Sequence, residues 1–270
     1  MTKEKEKRNK YVFYLKLLSG LIIIMKKCLE LFSGTHSIGK ALEHKYDIVS
    51  LDRDIGGKCP LNTDYESSHH IKEDIMKWDY KKDFKPGDFY LITASPVCLW
   101  WSMLRNTWIG RKIKAHGDTV ITHEVLNNDI NMLGKPMVDR VIEIIEYFKP
   151  AYYWIENPTG SKMKHYIEEK YPEYFIYYDY DYCKYSDFGY RKTTRFYTNI
   201  PNLNPMRCKL DCNNLIETKD KNDKVKKIHR VCMGSWGKKG TTQTGIGGGG
   251  NRLGRYRIPE KLILDLTKDI

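Results

Sequence analysis

Cys98 is the residue whose type and position best suit covalent chemistry. It follows an apolar run, Phe89-Tyr90-Leu91-Ile92, that predicts a buried strand, and it stands two residues after Pro96. Ligands of open α/β sheets bind at the carboxyl ends of the strands. A cysteine held there behind a chain-stiffening proline is a candidate nucleophile, although a free cysteine is more often a small buried hydrophobe.

Three other features of the sequence support a functional role for this cysteine. A turn containing Gly34 and Gly39 precedes it, and such a turn brings backbone close to a ligand at a helix N-terminus. Asp52 ends the next predicted strand, where a carboxylate can accept a hydrogen bond from a ribose hydroxyl. Glu156 ends a later strand, Tyr152–Ile155. Taken singly, these features also fit an ordinary βα turn and structural strand-end carboxylates.

The elements that must position these residues alternate between strand and helix along the chain. This order predicts a Rossmann-like, doubly wound, mostly parallel α/β sheet. The predicted strands are Cys28–Phe32, Asp47–Leu51, Phe89–Thr93 and Tyr152–Ile155. The predicted helices are Lys40–His44, Val138–Phe148 and Ile258–Leu266, the last entered through Pro259. The polar segment Met103–Leu133 predicts a long mobile loop followed by the start of a helix.

Composition and charge indicate a globular protein with a polyanionic partner. The chain has 270 residues, 41% of them hydrophobic, enough for one large domain or for a large and a small one. Its net charge of +12 is concentrated at the two ends, with 15 lysines and arginines against seven acidic residues from Ile200 onward. A basic C-terminal third suggests a nucleic acid partner, although a solvated basic face has the same composition.

The cysteines and the N-terminus predict an intracellular, soluble protein that does not associate with a membrane. Seven scattered cysteines, an odd number, favour a reducing compartment with free thiols or a metal site. The apolar stretch Tyr11–Ile24 is too short to span a bilayer, and no small-residue cleavage site follows it. We interpret Met25 as the natural start and residues 1–24 as a dispensable extension.

The order of these parts resembles the C5-cytosine-specific DNA methyltransferase family over most of the chain from Leu29 onward. Residues 29–39 are similar to the family's first motif, Leu51-Asp52-Arg53-Asp54 to its second and Glu73-Asp74-Ile75 to its third. Ser95-Pro96-Val97-Cys98 and Glu156-Asn157-Pro158 are similar to its Pro-Pro-Cys and Glu-Asn-Val motifs, in a form associated with phage and large-virus enzymes. Residues 185–199 resemble the motif that supports the flipped base, and Arg255-Tyr256-Arg257-Ile258-Pro259 the closing motif.

The resemblance implies a class I enzyme that uses S-adenosylmethionine as its cofactor and DNA as its substrate. Cys98 would add to carbon 6 of a flipped cytosine, and Glu156 would contact N3 as a carboxylic acid. Arg195, with Arg191 or Lys192, would support the extruded nucleotide and its phosphates. The implied cofactor-binding residues are Phe32, Ser33, Gly34, Thr35, His36, Ser37, Ile38, Gly39, Asp52, Arg53, Asp74, Ile75, Ser95 and Pro96.

Two positions depart from the family pattern. His36 replaces the middle glycine of the first motif and is expected near the methionine end of the cofactor, and Val97 replaces the second proline. Both changes are of a kind that weakens activity, but neither removes a group that does chemistry.

The expected organisation is a catalytic domain at 25–199, a small basic target-recognition region at 200–250 and a returning segment at 251–270, in a monomer. Lysines 224, 226 and 227 with Arg230 would contact phosphates. Cys208, Cys212, His229 and Cys232 could hold a structural zinc, the alternative being buried free thiols. Gly245–Gly250 is interpreted as a flexible hinge.

Three alternatives to a DNA enzyme stay open at this point. The same chemistry could act on RNA, because a flipped-base pocket does not by itself exclude it. A methyltransferase acting on exocyclic amino groups would need an aromatic residue where Cys98 stands, which makes it the weakest. A catalytically silent relative would bind cofactor or nucleic acid only, and His36 and Val97 are its best support.

Overall fold

A seven-stranded sheet organises the molecule. The computed structural model describes residues 25–220, 222–234, 237–246 and 252–270. The described strands are β1 (Lys27–Leu31), β2 (Asp47–Leu51), β3 (Lys58–Cys59), β4 (Asn62–Glu66), β5 (His69–Ile71), β6 (Leu91–Ala94), β7 (Tyr152–Pro158), β8 (Tyr177–Asp181), β9 (Thr193–Thr198), β10 (Leu215–Lys219), β11 (Val225–His229), β12 (Val231–Cys232) and β13 (Thr244–Gly245). The described α-helices are α1 (Ser37–Leu42), α2 (Tyr80–Asp83), α3 (His123–Asp129), α4 (Lys135–Phe148), α5 (Met163–Lys170) and α6 (Glu260–Leu266).

The large sheet has the order β5-β2-β1-β6-β7-β9-β8. Strand β9 pairs antiparallel with both of its neighbours, and the remaining pairs are parallel. The chain runs outward from β1 to one edge and then returns to continue from β6 on the other side. The carboxyl ends of β1 and β6 therefore flank a topological switch point, the place where open α/β sheets bind ligands. The predicted α/β class and doubly wound sheet are confirmed.

Apolar clusters cover both faces of this sheet. Leu29, Ile92 and Ile155 belong to the cluster that packs against α4, whereas Cys28, Leu91 and Trp154 belong to the cluster under α1 and α6. Neighbouring residues of each central strand thus point into different layers, as expected for a strand buried on both sides. Helix α4 confirms its predicted spacing, since its buried residues are Val138, Val141, Ile142, Ile144, Ile145 and Phe148.

The segment between β6 and α4 differs from the predicted mobile loop. It contains the 3₁₀ helices Met103–Trp108 and Lys114–His116, then α3 and a π-helical turn that continues into α4. The buried guanidinium of Arg105 pairs with the carboxylate of Asp129, which also contacts Nε2 of His116 at 2.8 Å. A buried charge is stable only when it is paired, so this ion pair fixes the segment that the polar sequence had suggested was loose.

The C-terminal segment returns to the first strand-to-helix turn. The amide of Ile258 donates to Oγ of Ser37 at 3.0 Å, and Nζ of Lys45 donates to the carbonyl of Thr267 at 2.7 Å. Between β9 and this segment lie an antiparallel hairpin, β10–β11, and the short parallel pair β12–β13. The predicted extension at residues 1–24 and most of the glycine run lie outside the described residues. Over the described parts of the chain, every helix is too short or too polar to cross a bilayer.

Candidate active site

The turn between β1 and α1 forms one wall of the site. Phe32, Gly34 and His36 all have positive φ angles, so the backbone coils tightly before the helix begins. The amide of Gly34 donates to Oδ2 of Asp52 at 3.0 Å, while Oδ1 of Asp52 accepts the amides of Asp54 and Ile55. Asp52 therefore links the loops that follow β1 and β2, and its contact with a ribose stays a prediction.

His36 lies beneath this turn rather than on its open surface. Its ring is fully buried, with Nε2 donating to the carbonyl of Gly56 at 2.8 Å and Nδ1 lying 3.6 Å from Oε2 of Glu30. Burial by itself lowers the pKa of His36, but the Glu30 carboxylate and the Gly56 carbonyl outweigh it and raise the pKa overall. The expectation that this side chain reaches the methionine end of a cofactor is corrected, because the ring supports the loop from below.

Gly39, in α1, is required because the side chains of Tyr65 and Glu30 pack closely against its backbone. A Cβ atom at this position would overlap Oη of Tyr65 and would lie 3.1 Å from Oε2 of Glu30. We expect Gly39→Ala to lower the free energy of unfolding by about 1–3 kcal/mol, because overpacking outweighs the helix propensity of alanine. Denaturant titration measures this loss.

The matched control for Gly39→Ala is the double variant with Tyr65→Phe. Removing the hydroxyl that the new methyl group would meet should restore part of the lost stability. Equal losses in the single and double variants would show that the contact with Tyr65 is not the cause.

The other predicted cofactor residues follow β2, β5 and β6 at the same edge of the sheet. Arg53 is exposed, and its guanidinium pairs with Asp54 and lies 3.8 Å from Asp74. Ile75 is instead buried in the core cluster beside α4, which excludes it from the open surface. Oγ of Ser33 is buried and has no hydrogen-bond partner among the described residues. An unpartnered polar atom in this turn fits a polar ligand such as S-adenosylmethionine.

The loop that carries Cys98 is held by β7 and α5. Nδ2 of Asn157 donates to the carbonyl of Pro96 at 3.1 Å, and Asn157 is fully buried. Three residues beyond Cys98, the buried indole of Trp101 stacks on Tyr166, and its carbonyl accepts the amide of Lys162 at 3.0 Å. These contacts on both sides of the cysteine stiffen a loop in which Val97 replaces a proline.

We expect Asn157→Ala to loosen the Cys98 loop. The change removes a buried donor and leaves the Pro96 carbonyl unpaired, which costs about 1–3 kcal/mol of stability. Denaturant titration checks the stability, and proteolysis should cut the loop near Pro96 faster than in the parent protein. Asn157→Asp keeps the size but not the donor and should be at least as damaging. A stable variant with an unchanged cleavage rate would show that the contact does not hold the loop.

Glu156 forms a buried cluster with two side chains, one from the 3₁₀ turn after β8 and one from the residue before β9. Its Oε1 accepts the hydroxyl of Tyr182 at 3.2 Å and the ammonium of Lys192 at 3.4 Å. Nζ of Lys192 also lies 4.9 Å from the ring centroid of Tyr182. Because the Tyr182 hydroxyl and the Lys192 ammonium both donate to Oε1, the carboxylate of Glu156 has a fixed orientation. Its Oε2 atom is left available for another partner.

The charge environment links Cys98 to this cluster. Burial raises the pKa of the Cys98 thiol, the positive charge of Lys192 lowers it, and the negative charge of Glu156 raises it, with a net increase. Both charges therefore act on the sulfur. The thiol is mostly protonated at neutral pH, and Lys192 is the group that favours its thiolate.

Arg195 and Arg191 do not join Glu156. In the register of β7 with β9, Glu156 faces Phe196 whereas Arg195 faces Asn157, and successive strand residues point to opposite sides of a sheet. Arg195 forms a two-pronged ion pair with Asp179, at 2.7 and 2.9 Å. Arg191 pairs instead with Asp181 at 3.2 Å. Of the three basic residues expected to support a base, the structure brings Lys192 alone to Glu156.

Tyr182 is the site residue that the sequence did not reveal. It follows β8 at the sheet edge, and it reaches Glu156 because β9 pairs antiparallel with both β8 and β7. The sequence offered no periodicity or motif that marked it. Only the pairing of these strands brings its hydroxyl to a carboxylate 26 residues away in the sequence.

Three of the four predicted zinc ligands lie together in the structure. Cys208, Cys212 and His229 lie together as expected, but the fourth member is Cys183, and all four ligand atoms lie within 4.8 Å of one another. Cys232 is not part of this group and lies in β12. Its spacing does not mark Cys183 as a ligand in the sequence, because it lies outside the 200–250 region, in the 3₁₀ turn Tyr182–Lys184.

The fold is that of a class I methyltransferase. A sheet in this order, with one antiparallel strand beside its edge and a tight turn at the switch point, is the architecture of that class. No protein-family model matches the chain. A probable DNA (cytosine-5)-methyltransferase of Frog virus 3 (isolate Goorha) is 36% identical over 242 residues, 89% of this chain and 98% of the viral protein. The chain therefore belongs to the DNA (cytosine-5)-methyltransferase family.

Two solved structures are similar over part of the chain. One is a putative DNA modification methyltransferase encoded within an E. coli prophage, at 17% identity and a TM-score of 0.38, covering 64% of this chain and 46% of that one. The other is the Entamoeba histolytica methyltransferase EhMeth, at 16% identity and a TM-score of 0.44, covering 68% and 57%.

Proposed function

We propose that this protein methylates carbon 5 of cytosine in DNA through a covalent adduct with Cys98. The observation that carries the proposal is the ion pair of Lys192 with Glu156 at 3.4 Å, whose two charges both act on the sulfur of Cys98. Family membership supports the same substrate, since the viral relative is named as a DNA (cytosine-5)-methyltransferase. The carboxyl edge of the sheet is where such a site belongs.

The first step is the addition of the Cys98 thiolate to carbon 6 of the cytosine. Carbon 5 is a poor nucleophile until this bond forms, and a thiolate is both strongly nucleophilic and a good leaving group. The electron pair of the C5–C6 double bond moves into the ring. Glu156, whose charged form pairs with Lys192 in the free site, would first take up a proton and then supply it at N3, so that the ring does not accumulate charge.

Carbon 5 of the resulting enamine then takes the methyl group. When bound, S-adenosylmethionine supplies this methyl group from its sulfonium, and the turn at Ser33 and Gly34 with Asp52 would hold it. A base next removes the proton from carbon 5. The electrons of that C–H bond re-form the C5–C6 double bond, the Cys98 thiolate leaves, and N3 returns its proton to Glu156.

Tyr182 and Lys192 keep Glu156 in place during these steps. Both donate to Oε1, so Oε2 is the oxygen that would carry the proton to N3. The ammonium of Lys192 also offsets the charge of the thiolate before addition. We therefore assign the support of the flipped cytosine to Lys192 instead of Arg195.

The substrate must be extruded from the duplex, because the site cannot reach a stacked base. We assign residues 200–250 to target recognition. Lys224, Lys226 and Lys227 are exposed around the β10–β11 hairpin and suit phosphate contacts, which position a protein without reading sequence. We expect a monomer to suffice.

Covalent trapping on fluorinated substrates tests the proposal. The protein is incubated with labelled S-adenosylmethionine and a random-sequence duplex DNA containing 5-fluorocytosine, in which carbon 5 holds fluorine instead of the removable proton. We expect a denaturation-resistant adduct that Cys98→Ser abolishes. The controls are the same DNA with ordinary cytosine, and an RNA pool containing 5-fluorocytosine.

An adduct with RNA but not with DNA would replace the proposed substrate by RNA. Binding of S-adenosylmethionine without an adduct on either nucleic acid would identify a catalytically silent relative. An adduct that survives Cys98→Ser would refute the role given to this thiol.

A further inference from the structure

The geometry points to a structural zinc ion bound by Cys183, Cys208, Cys212 and His229. These residues come from separate parts of the chain: a 3₁₀ turn, the segment between β9 and β10, and the end of β11. Three sulfur atoms and one imidazole nitrogen within 4.8 Å of one another form a donor set that zinc prefers.

Two of the distances between ligand atoms match those of a tetrahedral ion. Sγ of Cys212 lies 3.4 Å and Sγ of Cys208 3.6 Å from the same Nε2 atom of His229. With Zn–S of about 2.3 Å and Zn–N of about 2.0–2.1 Å, two ligands of a tetrahedral zinc are separated by about 3.6 Å. The His229 nitrogen therefore faces both sulfurs at the spacing that a shared metal would impose.

Hydrogen bonds hold the ligands in this arrangement. The amide of Cys208 donates to Oδ2 of the buried Asp181 at 2.7 Å. Nδ2 of Asn214 donates to the carbonyls of Cys183 and Ser186, and its Oδ1 accepts the amide of Gly189. The ligand backbone is thus pinned from outside the cluster, which is typical of a metal centre supported by its surroundings.

Two cations lie near the ligand cysteines, and each is already paired with a carboxylate. Lys184 pairs with Asp211 at 3.1 Å beside the cysteines, and Arg191 pairs with Asp181. The position of the cluster also gives the ion a role in holding the site together. Cys183 follows Tyr182, whose hydroxyl donates to Glu156. The metal would therefore connect residues 208–229 to the turn that orients the Glu156 carboxyl group.

Metal analysis of the whole protein tests this inference. The chain is purified without chelators, and zinc is measured by elemental mass spectrometry against protein concentration. We expect one zinc per chain in the parent protein and in Cys232→Ser, and a loss of at least about tenfold in Cys208→Ser/Cys212→Ser. Equal zinc loss in the Cys232→Ser control would overturn the assignment of ligands.

Measurements on the unmutated protein keep the test valid if the double variant does not fold. X-ray absorption at the zinc edge should give three sulfur ligands and one nitrogen ligand. Replacement by Co²⁺ should give the strong visible absorption of a tetrahedral thiolate site. A parent protein without zinc and without this cobalt spectrum after anaerobic reconstitution, or with disulfides among these cysteines, would overturn the proposal.

Discussion

Replacing Cys98 with serine is expected to lower kcat for DNA methylation by at least about 10³-fold while leaving S-adenosylmethionine binding nearly unchanged. Serine keeps the size of the side chain but is a far weaker nucleophile at this position. Cys98 is not in the turn at Gly34 that would hold the cofactor, so the loss should fall on the chemical step. Single-turnover transfer of labelled methyl groups measures the rate, and calorimetry measures cofactor affinity.

Cys59→Ser is a suitable comparison for Cys98→Ser. Cys59 is also a cysteine near the turn, with its Sγ 2.9 Å from the carbonyl of Thr35, and serine can keep that hydrogen bond. We expect this variant to retain most of the methylation rate. If Cys98→Ser also retained it, the covalent mechanism would have to be abandoned.

The second large effect is expected from Glu156→Gln and Lys192→Met. Together these variants should separate proton transfer to N3 from the control of the Cys98 pKa. Glutamine cannot transfer a proton to N3, so methylation should fall by about 10²–10⁴-fold. The same change removes the negative charge that raises the Cys98 pKa, so the thiol should be alkylated faster at a given pH. Lys192→Met removes the charge that lowers this pKa, so alkylation should become slower, and methylation should fall as well.

The rate of Cys98 alkylation is expected to rise with pH as the thiol loses its proton. Because the pKa of Cys98 lies above its ordinary value, alkylation of the parent protein should still be rising past pH 8.5, about the usual thiol pKa. The profile should move to lower pH in Glu156→Gln and to higher pH in Lys192→Met. Mass spectrometry of the peptide containing Cys98 follows this thiol separately from the partly exposed Cys212 and Cys232.

A distant lysine provides the matched control for the loss of one positive charge. Lys82 is exposed in α2, and Lys82→Met should leave the alkylation profile unchanged. Alkylation shifts of the same sign in Glu156→Gln and Lys192→Met would contradict the charge arrangement proposed for the site. Normal methylation by Glu156→Gln would remove the carboxyl group from the mechanism.

The central strands and the longest helix were predictable because their signals are local. Strand β2 occupies the predicted residues Asp47–Leu51, and α4 contains the whole predicted helix Val138–Phe148. A short apolar run and a helical spacing of apolar residues depend only on nearby side chains. The order of the 103–133 segment could not be predicted from local sequence, because it depends on the buried pair of Arg105 with Asp129, which are 24 residues apart.

The features of the candidate site are likewise of two kinds, those set by local sequence and those set by the tertiary structure. The sequence alone located Gly34 and Cys98 beyond the ends of β1 and β6 and Glu156 in the last part of β7, because each lies close in sequence to its own strand. Only the tertiary structure brings Lys192, and not Arg195, to Glu156, since the β7–β9 register decides which side chains share a face with Glu156. It likewise placed Cys183, not Cys232, beside His229, because ligands from separate segments meet only after the chain has folded.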